Sequence, residues 1–155
     1  DYFYKTEEEF DKLLQSGEIL EWDLYCGNRY GTLRSQIEEK IESGMDLMLD
    51  LTISGAVAVK KAFPDDTITV FLLPPSIEEL RRRLQSRGRE SQEQIEKRIE
   101  TAINVEIPQV DKFDCIIVND VLSVASEKLL AVIDAEKLKY KRGLEIFARI
   151  WYNKL

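Results

Sequence analysis

Between residues 81 and 98 the chain gathers Arg81, Arg82, Arg83, Arg87, Arg89, Lys97 and Arg98 against Glu90, Glu93 and Glu96, in a polypeptide whose formal net charge is -7. Arg83 and Arg87 are four apart and would share one helical face; Gly88 breaks the helix beside them, and Arg98 rises from the next helical stretch. Converging guanidinium groups suit phosphoryl oxygens, because a planar fork can donate to two oxygens at once. A solvated helical face laced with i,i+4 pairs would use the same residue types, and some of these side chains do no more than solubilise.

A second group is Glu21-Trp22 followed by Gly27-Asn28-Arg29-Tyr30-Gly31-Thr32. A tight turn there sets the Glu21 carboxylate on one strand across from the hydroxyls of Tyr30 and Thr32. A carboxylate only accepts hydrogen bonds, and it matches the paired N–H groups of a guanine edge. An ordinary acid on an edge strand is the plain alternative. Asp50 lies near the carboxyl end of the apolar run Met45 to Leu51, which Asp46 and Asp50 interrupt, and ligands of open α/β sheets gather at strand carboxyl ends, where a buried acid is costly unless it is paired. Asn119-Asp120 forms a strand-to-helix corner: Asp120 is suited to capping the helix and Asn119 to reading a base edge.

The elements that must position these residues follow from local signals. Thr6-Glu7-Glu8-Glu9 is a capping box that predicts a helix over about 7–16, stopped by Gly17. Ile19 to Tyr25 and the residues after Cys26-Gly27-Asn28 predict a small antiparallel hairpin. Thr32 is placed to cap a second helix carrying Ile37 and Ile41, ended by Gly44, and Met45 to Leu51 reads as a strand buried on both faces. A helix over about 54–62, a strand over 67–73, and helices capped by Ser76 and Ser91 follow, the last closed by Pro108. Cys115 to Val118 reads as a further strand, and from Val121 the chain is predicted helical almost to its end, with Gly143 as a weak point. Strands alternating with helices predict an α/β fold with a parallel sheet.

Composition removes whole classes of function. Histidine is absent from all 155 residues, which excludes imidazole bases, Ser-His triads and histidine-bound metals. The acidic balance, with a pI near 4.8, argues against nucleic acid as a partner, since backbone affinity needs a basic face. No apolar run approaches the length of a membrane span, and the first residues are acidic and aromatic, unlike a signal peptide. Cys26 and Cys115 lie far apart without CxxC spacing, which fits a reducing cytoplasm.

Taken together, DYFY, ILEW, GNRYGT, the Asp50 to Gly55 spacing, FLLPPSIEEL, RLQSRG and IIVND occur in an order that resembles the guanylate kinase family along essentially the whole chain. The resemblance implies an α/β nucleoside monophosphate kinase core with a parallel sheet, a small antiparallel GMP-binding lobe and a helical lid. It implies one domain over 1–155, divided into a GMP lobe (1–44), core (45–80), lid (81–107) and core with C-terminal helix (108–155). By the same resemblance Tyr2 and Tyr30 would bond the GMP phosphate, Glu21 and Thr32 would read guanine, and Asp50 would lie near a magnesium-bound water without ligating the metal. Arg83, Arg87 and Arg98 would clamp the transferred phosphoryl group and the ATP phosphates, and Asn119 would approach adenine. The implied reaction is MgATP plus GMP giving ADP plus GDP, driven by positioning and charge neutralisation.

The family pattern also has a strand and a Gly-rich phosphate loop ahead of these motifs, and no Gly-x-x-x-x-Gly-Lys-Ser/Thr occurs in these 155 residues. Without that cradle the chain by itself is expected to have negligible kinase activity, and its sheet is expected to need a covering partner, self-association or residues outside these 155. Thr52 stands where a second acid is usual, Arg89 replaces a usual threonine, and Arg29 replaces a usual aromatic beside the GMP pocket, where surface solvation is its expected role and compensation for missing basic residues the alternative. The rival reading is a non-catalytic guanylate kinase-like module that docks acidic or phosphorylated peptides; retention of three lid arginines favours the enzyme.

Overall fold

Local capping chemistry starts the first element. In the computed structural model, which describes residues 3–25 and 27–139, Thr6 accepts from the Glu9 amide and the Glu9 side chain reaches back to the Thr6 amide, closing a full capping box at the head of α1 (Glu7–Gln15). Gly17, with φ 73°, then supplies the left-handed turn that leads into β1 (Ile19–Tyr25). β2 (Asn28–Leu33) returns antiparallel, α2 (Arg34–Glu42) follows directly, and α3 (Ile53–Ala62) is capped by Thr52, whose hydroxyl accepts from the Gly55 amide at 3.3 Å.

These elements belong to the first of two compact units, residues 1–69. One face of the hairpin is packed by α1. The Phe10 ring meets Trp22 edge-on at 6.3 Å, and the Arg29 guanidinium lies 4.4 Å from the centre of the Phe10 ring. Arg29 also pairs with Glu7 at 2.5 Å and Asp11 at 2.7 Å, and those hydrogen bonds, Asp11 first, hold its guanidinium more firmly protonated than usual. Arg29 is therefore a bracket between β2 and α1; surface solvation does not describe it.

Three expectations fail in this unit. Met45 to Leu51 forms no strand, and Met45, Leu47 and Met48 are 50%, 45% and 71% exposed. An apolar run becomes a buried strand only when neighbours supply both ladders, and none pairs with it among the described residues. Asp50 accordingly sits in exposed coil, where a carboxylate stays hydrated, and it is not the buried acid that the run suggested. Nor does Thr32 cap α2; Leu33 holds the cap position without a side-chain bond.

The second unit covers 70–155. β3 (Val70–Leu73) pairs in parallel with β4 (Cys115–Val118), Val70 opposite Cys115 and Leu73 opposite Val118. The predicted strand from residue 67 is shorter at its start. Between the two strands run α4 (Ile77–Arg87), ended by Gly88 at φ 62°, and α5 (Gln92–Thr101), headed by a second full capping box at Ser91. α5 continues as a π-turn over Ala102–Glu106 and a 3₁₀ segment over Ile107–Lys112 with Pro108 near its start. Leu84, Ile95 and Ile99 form the buried contact of α4 with α5, flanked by Ile77 and Leu80. α6 (Leu122–Lys137) closes the described chain; its expected continuation through Gly143 lies outside the described residues. Asp120 does not cap it, since Val121 occupies the cap position with no side-chain bond. Among the described residues no helix is long and apolar enough to cross a membrane.

Candidate functional site

In the first unit the site is built by a register shift. Ile19 pairs with Leu33, whereas Glu21 pairs with Thr32, so a β-bulge at Leu20 re-aims the strand. Directly paired residues share a face of a ribbon, so Glu21, Asp23, Tyr30 and Thr32 lie on one side, and Trp22 and Arg29 on the side packed by α1. Gly31, opposite Trp22, allows this close pairing: a Cβ there would sit 2.9 Å from the Glu21 carbonyl and from the Ile19 side chain.

The bulge brings the Glu21 carboxylate against Thr32, whose hydroxyl donates to Oε1 at 2.5 Å. That bond explains why Thr32 is not a helix cap. The other carboxylate oxygen faces the first turn of α3, where a Cβ on Gly55 would meet Oε2 at 3.0 Å and Cδ and Cγ at 3.3 Å. Leu20, Glu21, Trp22, Ser54, Gly55 and Ala58 line an open cavity of about 230 Å³. A carboxylate held on one oxygen at the edge of such a cavity can accept paired N–H groups from a flat ligand. Gly55, which borders the Glu21 carboxylate, was not among the candidate site residues. The available signal was a glycine in the first turn of a helix, a costly choice unless something lies close to its backbone.

Tyr30 stands on the same ribbon face as Glu21 and Thr32, opposite Asp23 and 40% exposed. Tyr2 lies outside the described residues. Asp50 belongs to the coil before Thr52, and no bond or ion pair joins it to Glu21, Tyr30 or Thr32 among the described residues.

In the second unit the arginines part company. Arg83, half-buried, donates from Nε to Glu79 at 2.7 Å and from its two terminal nitrogens to the carbonyls of Asn119 at 2.7 Å and Asp120 at 3.3 Å. Arg82 takes both oxygens of Glu79 at 2.6 Å. Hydrogen bonds from Arg82 and then Arg83 hold the Glu79 carboxyl at about 2. Glu79 therefore spends its oxygens on arginines and does not complete the capping box that Ser76 begins. Arg98 is ion-paired with Glu90, and Arg87 is exposed, with no ion pair among the described residues. Arg87 and Arg98 line a shared cavity of about 490 Å³ with Glu90, Lys97, Thr101 and Glu106, whereas Arg83 does not line it. Asn119 is half-buried and its backbone N–H donates to the Leu73 carbonyl at 2.7 Å. Among the described residues no three His, Cys, Asp or Glu side chains gather as a metal cluster.

The family model described as guanylate kinase matches residues 1–136. A guanylate kinase of Oceanobacillus iheyensis is 43% identical over 150 residues, covering 97% of this chain and 72% of that protein. A guanylate kinase of Bacillus subtilis is 38% identical over 153 residues, covering 94% of this chain and 74% of its own length. The crystal structure of guanylate kinase from Anaplasma phagocytophilum superposes with a TM-score of 0.73 at 28% identity, covering 98% of this chain and 74% of that one. With a family match across most of its length and relatives well above 30% identity, the chain belongs to the guanylate kinase family of phosphotransferase enzymes.

Proposed function

We propose that these residues form the GMP-reading and lid portions of an ATP:GMP phosphotransferase. The observation that carries the reading is the Glu21 carboxylate, tethered by Thr32 and pressed against Gly55. Guanine offers two neighbouring N–H donors to such an acceptor, where adenine's corresponding edge presents a ring-nitrogen acceptor. Thr32 orients the carboxylate and adds a hydroxyl. Tyr30, on the same ribbon face, and Tyr2 bond the GMP phosphate; a part for Asp50 in binding the same nucleotide is supported by the family resemblance alone.

On the donor side Arg87 and Arg98 face the phosphates, a role supported by the cavity they line together. Arg83 has three of its five N–H donors engaged and keeps two for a phosphate oxygen. Asn119 approaches the adenine of ATP. Phosphoryl transfer needs no covalent intermediate, so these groups act by alignment and by neutralising charge on the moving phosphoryl group. Magnesium bound with ATP would supply further neutralisation; the residues present offer it no direct cluster, and Asp50 would reach it only through water.

These 155 residues contain no phosphate-loop motif, so this polypeptide on its own binds GMP weakly and turns over negligibly. The half-exposed Leu72, Ile116 and Val118 on β3 and β4 support a covering element, a second copy or further residues. A reducing cytoplasm is the expected setting.

Calorimetric titration with GMP and AMP, alongside a coupled ATP-GMP assay, tests the reading. Glu21→Ala should abolish the preference for GMP over AMP. Preserved preference would sink the base-reading assignment, turnover by the chain alone would overturn the inactivity, and binding of a phosphorylated peptide without GMP would replace this reading with peptide docking.

A further inference from the structure

The strand-to-helix corner after β4 is held by a side chain from far away in sequence. Asn119 passes its amide to Leu73, one step beyond the paired strands. The following helix has Val121 at its cap position, so no local side-chain oxygen fixes the turn. Instead the carbonyls of Asn119 and Asp120 both accept from Arg83, which stands thirty-six residues before Asn119 on α4. Glu79, one turn earlier on that helix, takes Arg83 Nε and fixes the plane of the fork. A guanidinium can bridge two adjacent carbonyls and a carboxylate at once because its N–H groups diverge in one plane; an ammonium, a single point of charge, cannot reproduce that spread.

We propose that Arg83 is the positioning residue of this corner, setting the backbone from which Asn119 projects, with Glu79 as its orienting partner. The functional consequence, that Arg83 places a base-contacting side chain, rests on the reading of Asn119 given above. The bracing itself does not. Arg83 then serves the nucleotide site from behind, whatever its two remaining donors do toward a phosphate.

Amide hydrogen exchange on the full, ligand-free chain tests it, comparing wild type with Arg83→Met, Arg83→Lys and Glu79→Gln. Exchange at Asn119 should rise about tenfold in Arg83→Met, as expected for loss of charge-assisted hydrogen bonds, while Ile117 inside β4 keeps its protection. Arg83→Lys should stay near Arg83→Met, and Glu79→Gln should show a smaller rise confined to the corner. Wild-type protection at Asn119 in Arg83→Met, or full rescue by lysine, overturns the proposal. Should Arg83→Met loosen Ile117 equally, the change is global and Glu79→Gln decides: faster exchange at Asn119 alone supports the bracing, and no change rejects it. Titration of Asn119→Ala with an ATP analogue tests the base contact separately, so either conclusion can fail without the other.

Discussion

Replacing Gly55 with alanine sets two measurable effects against each other. Gly55 lies in the first turn of α3, so the substitution should gain up to about 1 kcal/mol of helix propensity, less near a terminus than in mid-helix. Against this, the new methyl would stand 3.0 Å from Glu21 Oε2 and 3.3 Å from Cδ and Cγ, closer than carbon and oxygen normally approach. A free glutamate would swing aside at little cost. Glu21 is not free, because Thr32 holds its other oxygen at 2.5 Å, and yielding by a few tenths of an ångström stretches or breaks that bond. A hydrogen bond to a charged acceptor contributes about 1.5–3 kcal/mol, so the loss exceeds the gain and Gly55→Ala should be net destabilising by about 0.5–2 kcal/mol. For a chain of this size that lowers the thermal midpoint by roughly 1–8 °C. GMP affinity should fall about 10- to 100-fold as the carboxylate leaves its position. The cycle completes in the Glu21→Ala background: with the carboxylate gone, Gly55→Ala should stabilise, giving a coupling between the two sites above about 1 kcal/mol. Thermal unfolding and calorimetric GMP titration of the four proteins read both quantities. Equal stabilisation by Gly55→Ala in both backgrounds, with GMP binding intact, would refute the wedged carboxylate.

Two further outcomes follow from the electrostatics. Arg29→Met should lower the thermal midpoint by about several degrees and weaken the near-ultraviolet signal of Trp22, because it removes the bracket to Glu7, Asp11 and Phe10 while leaving the polar hairpin face intact; an unchanged melt would show that α1 packs without it. Glu79 has its carboxyl depressed to about 2 from the usual 4.5, so its contribution to stability is complete above about pH 4.5 and is lost as pH falls toward 2. Acid unfolding of Glu79→Gln should therefore be flatter than wild type in that window, and parallel curves would contradict the pairing with Arg82 and Arg83.

Much of this protein was legible in its residue order because the controlling interactions are local. The capping boxes at Thr6 and Ser91 involve residues three apart, and Gly88 ends α4 through its own left-handed backbone. The hairpin was readable from its turn, and the pairing of Glu21 with Thr32 was anticipated as a carboxylate facing a hydroxyl. Family membership likewise came from motifs in sequence order.

What failed depended on partners distant in the chain. Met45 to Leu51 has the composition of a buried strand, yet a strand exists only through its neighbours' hydrogen bonds, which no window of sequence contains. The fate of Thr32 was settled by a bulge across the hairpin, that of Arg29 by two acids on α1, and that of Arg83 by carbonyls thirty-six residues on. The amino-acid order thus determined the helices, the hairpin turn and the chemical groups they carry, since backbone propensity and capping act over one turn. Tertiary structure alone decided which oxygen each hydroxyl and guanidinium meets, because that choice belongs to whichever partner packing brings within 3 Å.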